Sequence, residues 1–84
     1  LGVDGIDFDF GFSISNLTEA GLNQKMIRTA QSLAILADHT KFAKRGIAKI
    51  CDFEEVQYII TDSKAPKESI ARLEDMGIQV IIAN

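Results

Sequence analysis

The polar residues with chemical potential fall into two short clusters, each at the exit of an apolar run. Asp38-His39-Thr40-Lys41 follows Leu33-Ala34-Ile35-Leu36-Ala37, and Asp4-Gly5-Ile6-Asp7 follows Leu1-Gly2-Val3. A lysine at a strand exit can neutralise a phosphate as a compact positive charge, with the Thr40 hydroxyl beside it as a donor. In the other cluster a carboxylate can face a ligand hydroxyl, while Gly5, having no Cβ, lets the backbone approach closely. The same residues also build ordinary turns, because Asp and Gly favour turns for purely local reasons. Residue types alone leave both readings open. Glu19, in the first turn of a helical pattern, is favoured by the helix dipole with or without a functional role. Cys51 sits among apolar neighbours with no histidine near it in sequence, which fits a small core residue better than a nucleophile. His39 is the one histidine and Cys51 the one cysteine, so no zinc ligand set is available. Gly2, Gly5 and Gly11 lack the spacing of a dinucleotide loop, and no G-x-x-x-x-G-K phosphate loop occurs. No catalytic residue, metal or cofactor is predicted.

These clusters need strands to position them. Leu1 to Val3 reads as the end of a buried strand and Asp4-Gly5 as the turn after it. Ile6 to Asn16, with Phe8, Phe10 and Phe12 alternating, suits a short strand or an ordered loop, and the loop is the favoured expectation. Thr18 is predicted to cap a helix running to about Gln31, with Leu22, Met26, Ile27, Ala30 and Leu33 on its apolar face. Leu33–Ala37 reads as a strand buried on both faces. Ile47 to Cys51 is a short strand or a helical turn, and Asp52 to Val56 a brief turn capped by Asp52. Gln57–Thr61 reads as a third buried strand. Pro66 is tolerated in the first turn of a second helix, whose stripe is Ile70, Leu73 and Met76 and whose left-handed stop is Gly77. Ile78–Ala83 then completes a strand–helix–strand unit with parallel strands. The expected class is α/β: a small, mainly parallel sheet with flanking helices. In open sheets of this kind ligands gather beyond the carboxyl ends of the strands, where both clusters fall.

Composition narrows the partners. With 9 basic and 12 acidic residues the net charge is −3, which gives no general attraction for a nucleic-acid backbone, so direct DNA binding by this segment is not expected. No apolar run approaches the ~20 residues needed to span a bilayer, so no membrane association is expected. A single cysteine is compatible with a reducing, cytoplasmic setting. At 84 residues the chain holds one small unit, and its opening on Leu1-Gly2-Val3 reads as a strand already under way, so it is expected to be part of a larger domain.

Three segments in order, Gly2-Val3-Asp4-Gly5-Ile6-Asp7, Leu36-Ala37-Asp38-His39-Thr40-Lys41-Phe42 and Ile59-Ile60-Thr61-Asp62, resemble the C-terminal sensor domain of DeoR-type bacterial transcriptional regulators. The ending Leu73 to Ile81 is similar to that family's last helix and strand, so the resemblance covers essentially the whole chain. It implies the later part of an effector-sensing domain, in a fold similar to the three-layer sandwich of ribose-5-phosphate isomerase. The implied partner is a phosphorylated sugar that modulates operator binding by an N-terminal winged helix-turn-helix. That module and the first half of the sensor domain are expected to be absent here. A homo-oligomer is expected. Carried over residue by residue, the resemblance implies that Asp4 and Gly5 meet the sugar's hydroxyl end, Glu19 faces the same pocket, Lys41 pairs with ligand charge and Asp38 orients the loop. The natural rival is an isomerase. Where such an enzyme carries an Asp-Glu pair and a Lys-Gly-Gly-Gly signature, this chain has Gly5 in place of the Glu and Phe10-Gly11-Phe12-Ser13 in place of the lysine and glycine run. Glu19 as a lone base would lack the group that stabilises the enediolate, which argues for binding without turnover. A plain oligomerisation domain is the remaining alternative.

Overall fold

The computed structural model describes residues 1–84 and divides the strands into two three-stranded sheets. The first is antiparallel, in the order β1 (Gly5–Asp7), β2 (Gly11–Ile14), β4 (Ala48–Cys51). The second is parallel, in the order β3 (Ala34–Leu36), β5 (Tyr58–Thr61), β6 (Gln79–Ile82). Leu1–Val3, expected as the end of a strand, runs beside β3: Leu36 N donates to Leu1 O at 2.8 Å, and Val3 N donates to Leu36 O at 3.3 Å. The α/β class holds. The mainly parallel sheet gives way to one parallel and one antiparallel sheet, which share a single core of 17 buried residues.

The difference begins at Ile6 to Asn16, where the expected loop is a β-hairpin. Gly5 pairs with Ser13, Ile6 with Phe12 and Asp7 with Gly11. Asp7 Oδ1 closes the turn by accepting from Asp9 N at 2.8 Å and Phe10 N at 3.0 Å. The aromatics anchor the hairpin: Phe12 is fully buried, and Phe8 stacks on Phe53 with centroids 5.2 Å apart. Ile47 to Cys51, left open between strand and helical turn, supplies strand β4 beside it.

Helix α1 (Leu17–Thr29) starts one residue before Thr18, and its cap is Asn16, whose Oδ1 accepts from Glu19 N at 3.0 Å. The helix packs on β4 and β2 through Ala20, Gln24 and Ile27, with Gln24 Nε2 donating to Lys49 O at 2.8 Å. That i, i+4, i+7 ridge keeps Ile27 of the predicted stripe, while Leu22 and Met26 stay exposed. Helix α2 (Lys67–Asp75) packs on β6 with Leu73 fully buried. Pro66 holds its N-cap rather than its first turn, and Gly77, at φ +87°, makes the left-handed stop. No helix is long and apolar enough to cross a membrane.

Candidate functional site

Parallel pairing sets the carboxyl ends of Leu1–Val3, β3, β5 and β6 side by side, and a cleft of about 320 Å³ opens there. Its apolar wall is Val3, Leu36, Ala37, Ile60 and Ala83; its polar side is Asp38, Lys41, Thr61 and Asp62. The chain turns sharply after β3 because Asp38 caps a single 3₁₀ turn, His39–Lys41. Asp38 Oδ1 accepts from Thr40 N at 2.8 Å and from the Thr40 hydroxyl, and Lys41 N donates to Asp38 O at 3.1 Å. The two bonds from Thr40, the hydroxyl's first, hold the Asp38 carboxyl below the usual carboxylate range. Asp38 thus orients the loop, and the Thr40 hydroxyl is spent on it.

Asp62, at the exit of β5, does more than end its strand. Its Oδ2 accepts from both His39 N and His39 Nδ1 at 2.9 Å, while its Oδ1 accepts from Lys64 N at 2.8 Å. The His39 ring bond is the main cause of an Asp62 pKa lowered to about 2, so the carboxylate is ionised at neutral pH. Downstream, Phe42 is buried and bridges to Ile6, and Ala43 N donates to Ile6 O at 2.8 Å. Lys41 is therefore carried between two fixed points, while its ammonium takes part in no ion pair. Asp38, His39 and Asp62 offer ligand atoms within 4.8 Å of one another. The His39 and Asp62 atoms are already engaged with each other, and Lys41 shares the cleft, so the cluster is a hydrogen-bonded one.

Of the predicted site residues, Asp38 and Lys41 line this cleft, whereas Asp4, Gly5 and Glu19 do not. Asp4 turns away, its Oδ2 accepting from Ser15 N at 2.8 Å. Gly5 is required by packing: a Cβ there would collide with the Lys44 carbonyl oxygen and lie 2.7 Å from Ser13 Oγ. Glu19 is exposed on the first turn of α1. Among the neighbouring cations, Arg45 is committed to Asp7, Nε to Oδ2 at 2.9 Å, and its guanidinium lies 5.3 Å from the Phe10 ring centroid. Burial pushes the Cys51 thiol up to about 12, which leaves it no thiolate for chemistry near neutrality. Thr61 and Asp62 were missed as cleft residues. Their signal was present, since a polar pair ending an apolar run marks a strand tip as surely as Ala37-Asp38 does.

The family model described as the DeoR C terminal sensor domain matches residues 1–63. A protein of Escherichia coli O157:H7 named for transcriptional repression of the aga operon is 37% identical over 82 residues, covering 98% of this chain and 30% of that protein. The HTH-type transcriptional regulator GlpR of Haloferax volcanii is 27% identical over 81 residues, covering 96% of this chain and 32% of its own length. The HTH-type transcriptional regulator YulB of Bacillus subtilis is 32% identical over 80 residues, 95% of this chain and 31% of its own. The chain thus spans about a third of the length of the curated relatives it matches, and those relatives are named as regulators and repressors, not as enzymes.

Proposed function

The chain belongs to the DeoR C-terminal sensor domain family, and from that premise we propose that it forms part of the effector-binding domain of a cytoplasmic transcriptional repressor of carbohydrate metabolism. The effector is a phosphorylated sugar, and its binding alters operator affinity through a helix-turn-helix module elsewhere in the protein. The observation that carries this reading is the cleft at the carboxyl ends of the parallel strands, where Lys41 supplies an uncommitted cation and Asp38 and Asp62 supply carboxylate oxygens at the rim. A phosphate suits the lysine; sugar hydroxyls suit the carboxylates. Asp4, Gly5 and Glu19 join the site only if ligand binding or the rest of the sensor domain brings them to it.

The parallel sheet also supports a three-layer arrangement like that of ribose-5-phosphate isomerase. Ile35 and Ile59, paired in register, are fully buried on one face, while Leu36 and Ile81, in register through Ile60, remain exposed on the other. Parallel sheets are ordinarily covered on both faces. A further layer from the rest of the sensor domain would cover the second face, and self-association into a homo-oligomer would bring paired DNA-binding modules to the operator.

The test uses the full-length protein. Titration with ribose 5-phosphate, glucose 6-phosphate, fructose 6-phosphate and glycerol 3-phosphate should raise its melting temperature and change operator affinity for at least one of them. Lys41→Met should weaken that ligand by about 10- to 100-fold, the range expected for losing a charge-assisted contact. Operator binding without ligand should be unchanged. A protein indifferent to every phosphorylated compound would overturn the sugar-phosphate reading.

A further inference from the structure

A lysine side chain has four rotatable carbons and binds an anion well only when its backbone is fixed, because each freedom lost on binding opposes affinity. Lys41 lies on a 3₁₀ turn of only three residues, which has little stability of its own. One end of that turn is held by the burial of Phe42 against Ile6. The other end is held by Asp62, which accepts from both the main chain and the ring of His39 on one oxygen, each at 2.9 Å. These contacts join residues 23 positions apart in sequence and couple the exits of β3 and β5, the two strands that floor the cleft.

The geometry points to His39 and Asp62 as positioning residues for the effector: a latch across the two strand exits that fixes where the Lys41 ammonium meets the ligand's anionic group. This rests on the reading of the cleft as the effector site. His39 does not line the cleft, so its influence runs through the turn that carries Lys41. The latch places donors on His39 and the acceptor on Asp62, which requires Nδ1 to carry a proton and leaves Nε2 free of any protein partner in the structure.

The test is a pair of exchanges at position 39 in the full-length protein, with the tightest-binding member of the sugar-phosphate panel as probe. His39→Ala removes the ring bond and should weaken the probe about tenfold, a fraction of the loss expected from removing Lys41 itself. His39→Asn sets an amide N–H where Nδ1 stood and should restore most of that affinity. Introduced with Lys41→Met, His39→Ala should cost nothing further, because the group it positions is gone. The unphosphorylated sugar, lacking the anion, should bind the wild type and all four variants alike. Unchanged affinity in His39→Ala overturns the latch while leaving the effector site standing. Additive losses with Lys41→Met also overturn it, because they assign His39 a direct contact or a general structural role. If the wild-type protein binds no phosphorylated probe, the effector reading fails first and the latch falls with it.

Discussion

The hairpin end and the parallel-strand end of this molecule use nearly the same residue types to opposite effect. Each follows an apolar segment with an aspartate, and each has a cation within reach. In the hairpin those groups are consumed: Asp4 accepts from Ser15 N, Asp7 from Arg45 and from its own turn, and Ser13 Oγ from Gly46 N at 2.7 Å. At the parallel end the aspartates are also bound, yet their bonds organise the turn that holds Lys41 and leave the ammonium unpaired. Topology makes the difference. Antiparallel neighbours bring the end of one strand to the start of the next, so polar groups close a local turn. Parallel neighbours bring two exits together, and the converging loops leave a gap between them.

The largest expected effect comes from asking what Gly5 is for. A methyl group there meets the Lys44 carbonyl oxygen, and its carbon at 2.8 Å, with the Ser13 hydroxyl at 2.7 Å. Backbone cannot rotate aside as a side chain can, so Gly5→Ala should destabilise the protein by about 3 kcal/mol, the upper range for overpacking. Gly2→Ala, on the edge segment of the parallel sheet, meets nothing within 4 Å and should stay within about 0.5 kcal/mol. Chemical denaturation of the two variants checks this. Equal stability would mean that the hairpin tolerates what the structure forbids, and would return Gly5 to candidacy as a ligand contact.

The sequence made the strand exits legible but not which of them stays open. Leu33 to Ala37, Gln57 to Thr61 and Ile78 to Ala83 read as strands because each is a short apolar run ended by polar or terminal residues, and all three fall in the parallel sheet. Ile6 to Asn16 favours a loop over a strand in the sequence because Asp7, Asp9 and Gly11 look like loop residues until Asp7 is seen closing a hairpin turn. The helix α1 stripe misled for a related reason. Leu22 and Met26 share the spacing of Ile27, yet spacing shows only that a face exists, and the sheet buried Ile27 with Ala20 and left the other two exposed. Lys41 could be picked out locally. The bond from Asp62 to His39 could not, since it spans two strands and depends on their register.

Acid titration separates the two ends next. The Asp62 pKa lies at about 2, chiefly through the His39 ring bond, against an ordinary aspartate value of 3.8. A carboxyl whose folded pKa is depressed contributes stability that is complete above its unfolded pKa and is lost as pH falls toward the folded one. Wild type should therefore melt higher than Asp62→Asn at pH 7, with the gap closing between about pH 4 and about pH 2. Asp7 is also lowered, with the Arg45 bond as the main cause, so Asp7→Asn should show the same sign. Its effect should be smaller, because the Arg45 partner is more than half exposed and solvent screens the pair. Melting curves at pH 7, 4 and 2.5 measure both gaps. A gap for Asp62 that persists unchanged to the lowest pH would mean its carboxylate charge does not hold the strand exits together.

The smallest effect is the one that most sharpens the contrast. Arg45 lies four residues beyond Lys41 and, on charge alone, is as good a phosphate ligand. Its guanidinium is already shared between the Asp7 carboxylate and the face of Phe10. To serve a ligand in the cleft it would have to leave both, and doing so would abandon an aspartate whose acidity depends on it. Arg45→Gln should therefore keep sugar-phosphate affinity within about twofold of wild type, since Arg45 does not line the cleft and its exposed charge is screened by salt. Lys44→Gln should behave the same way. If either variant instead weakens the ligand as much as Lys41→Met does, then the basic segment acts as a diffuse field and the placement of a single lysine carries no special weight. If only Lys41 matters, the recognition belongs to the turn that holds it, and the two arginine contacts are what keep the competing cation out of the site.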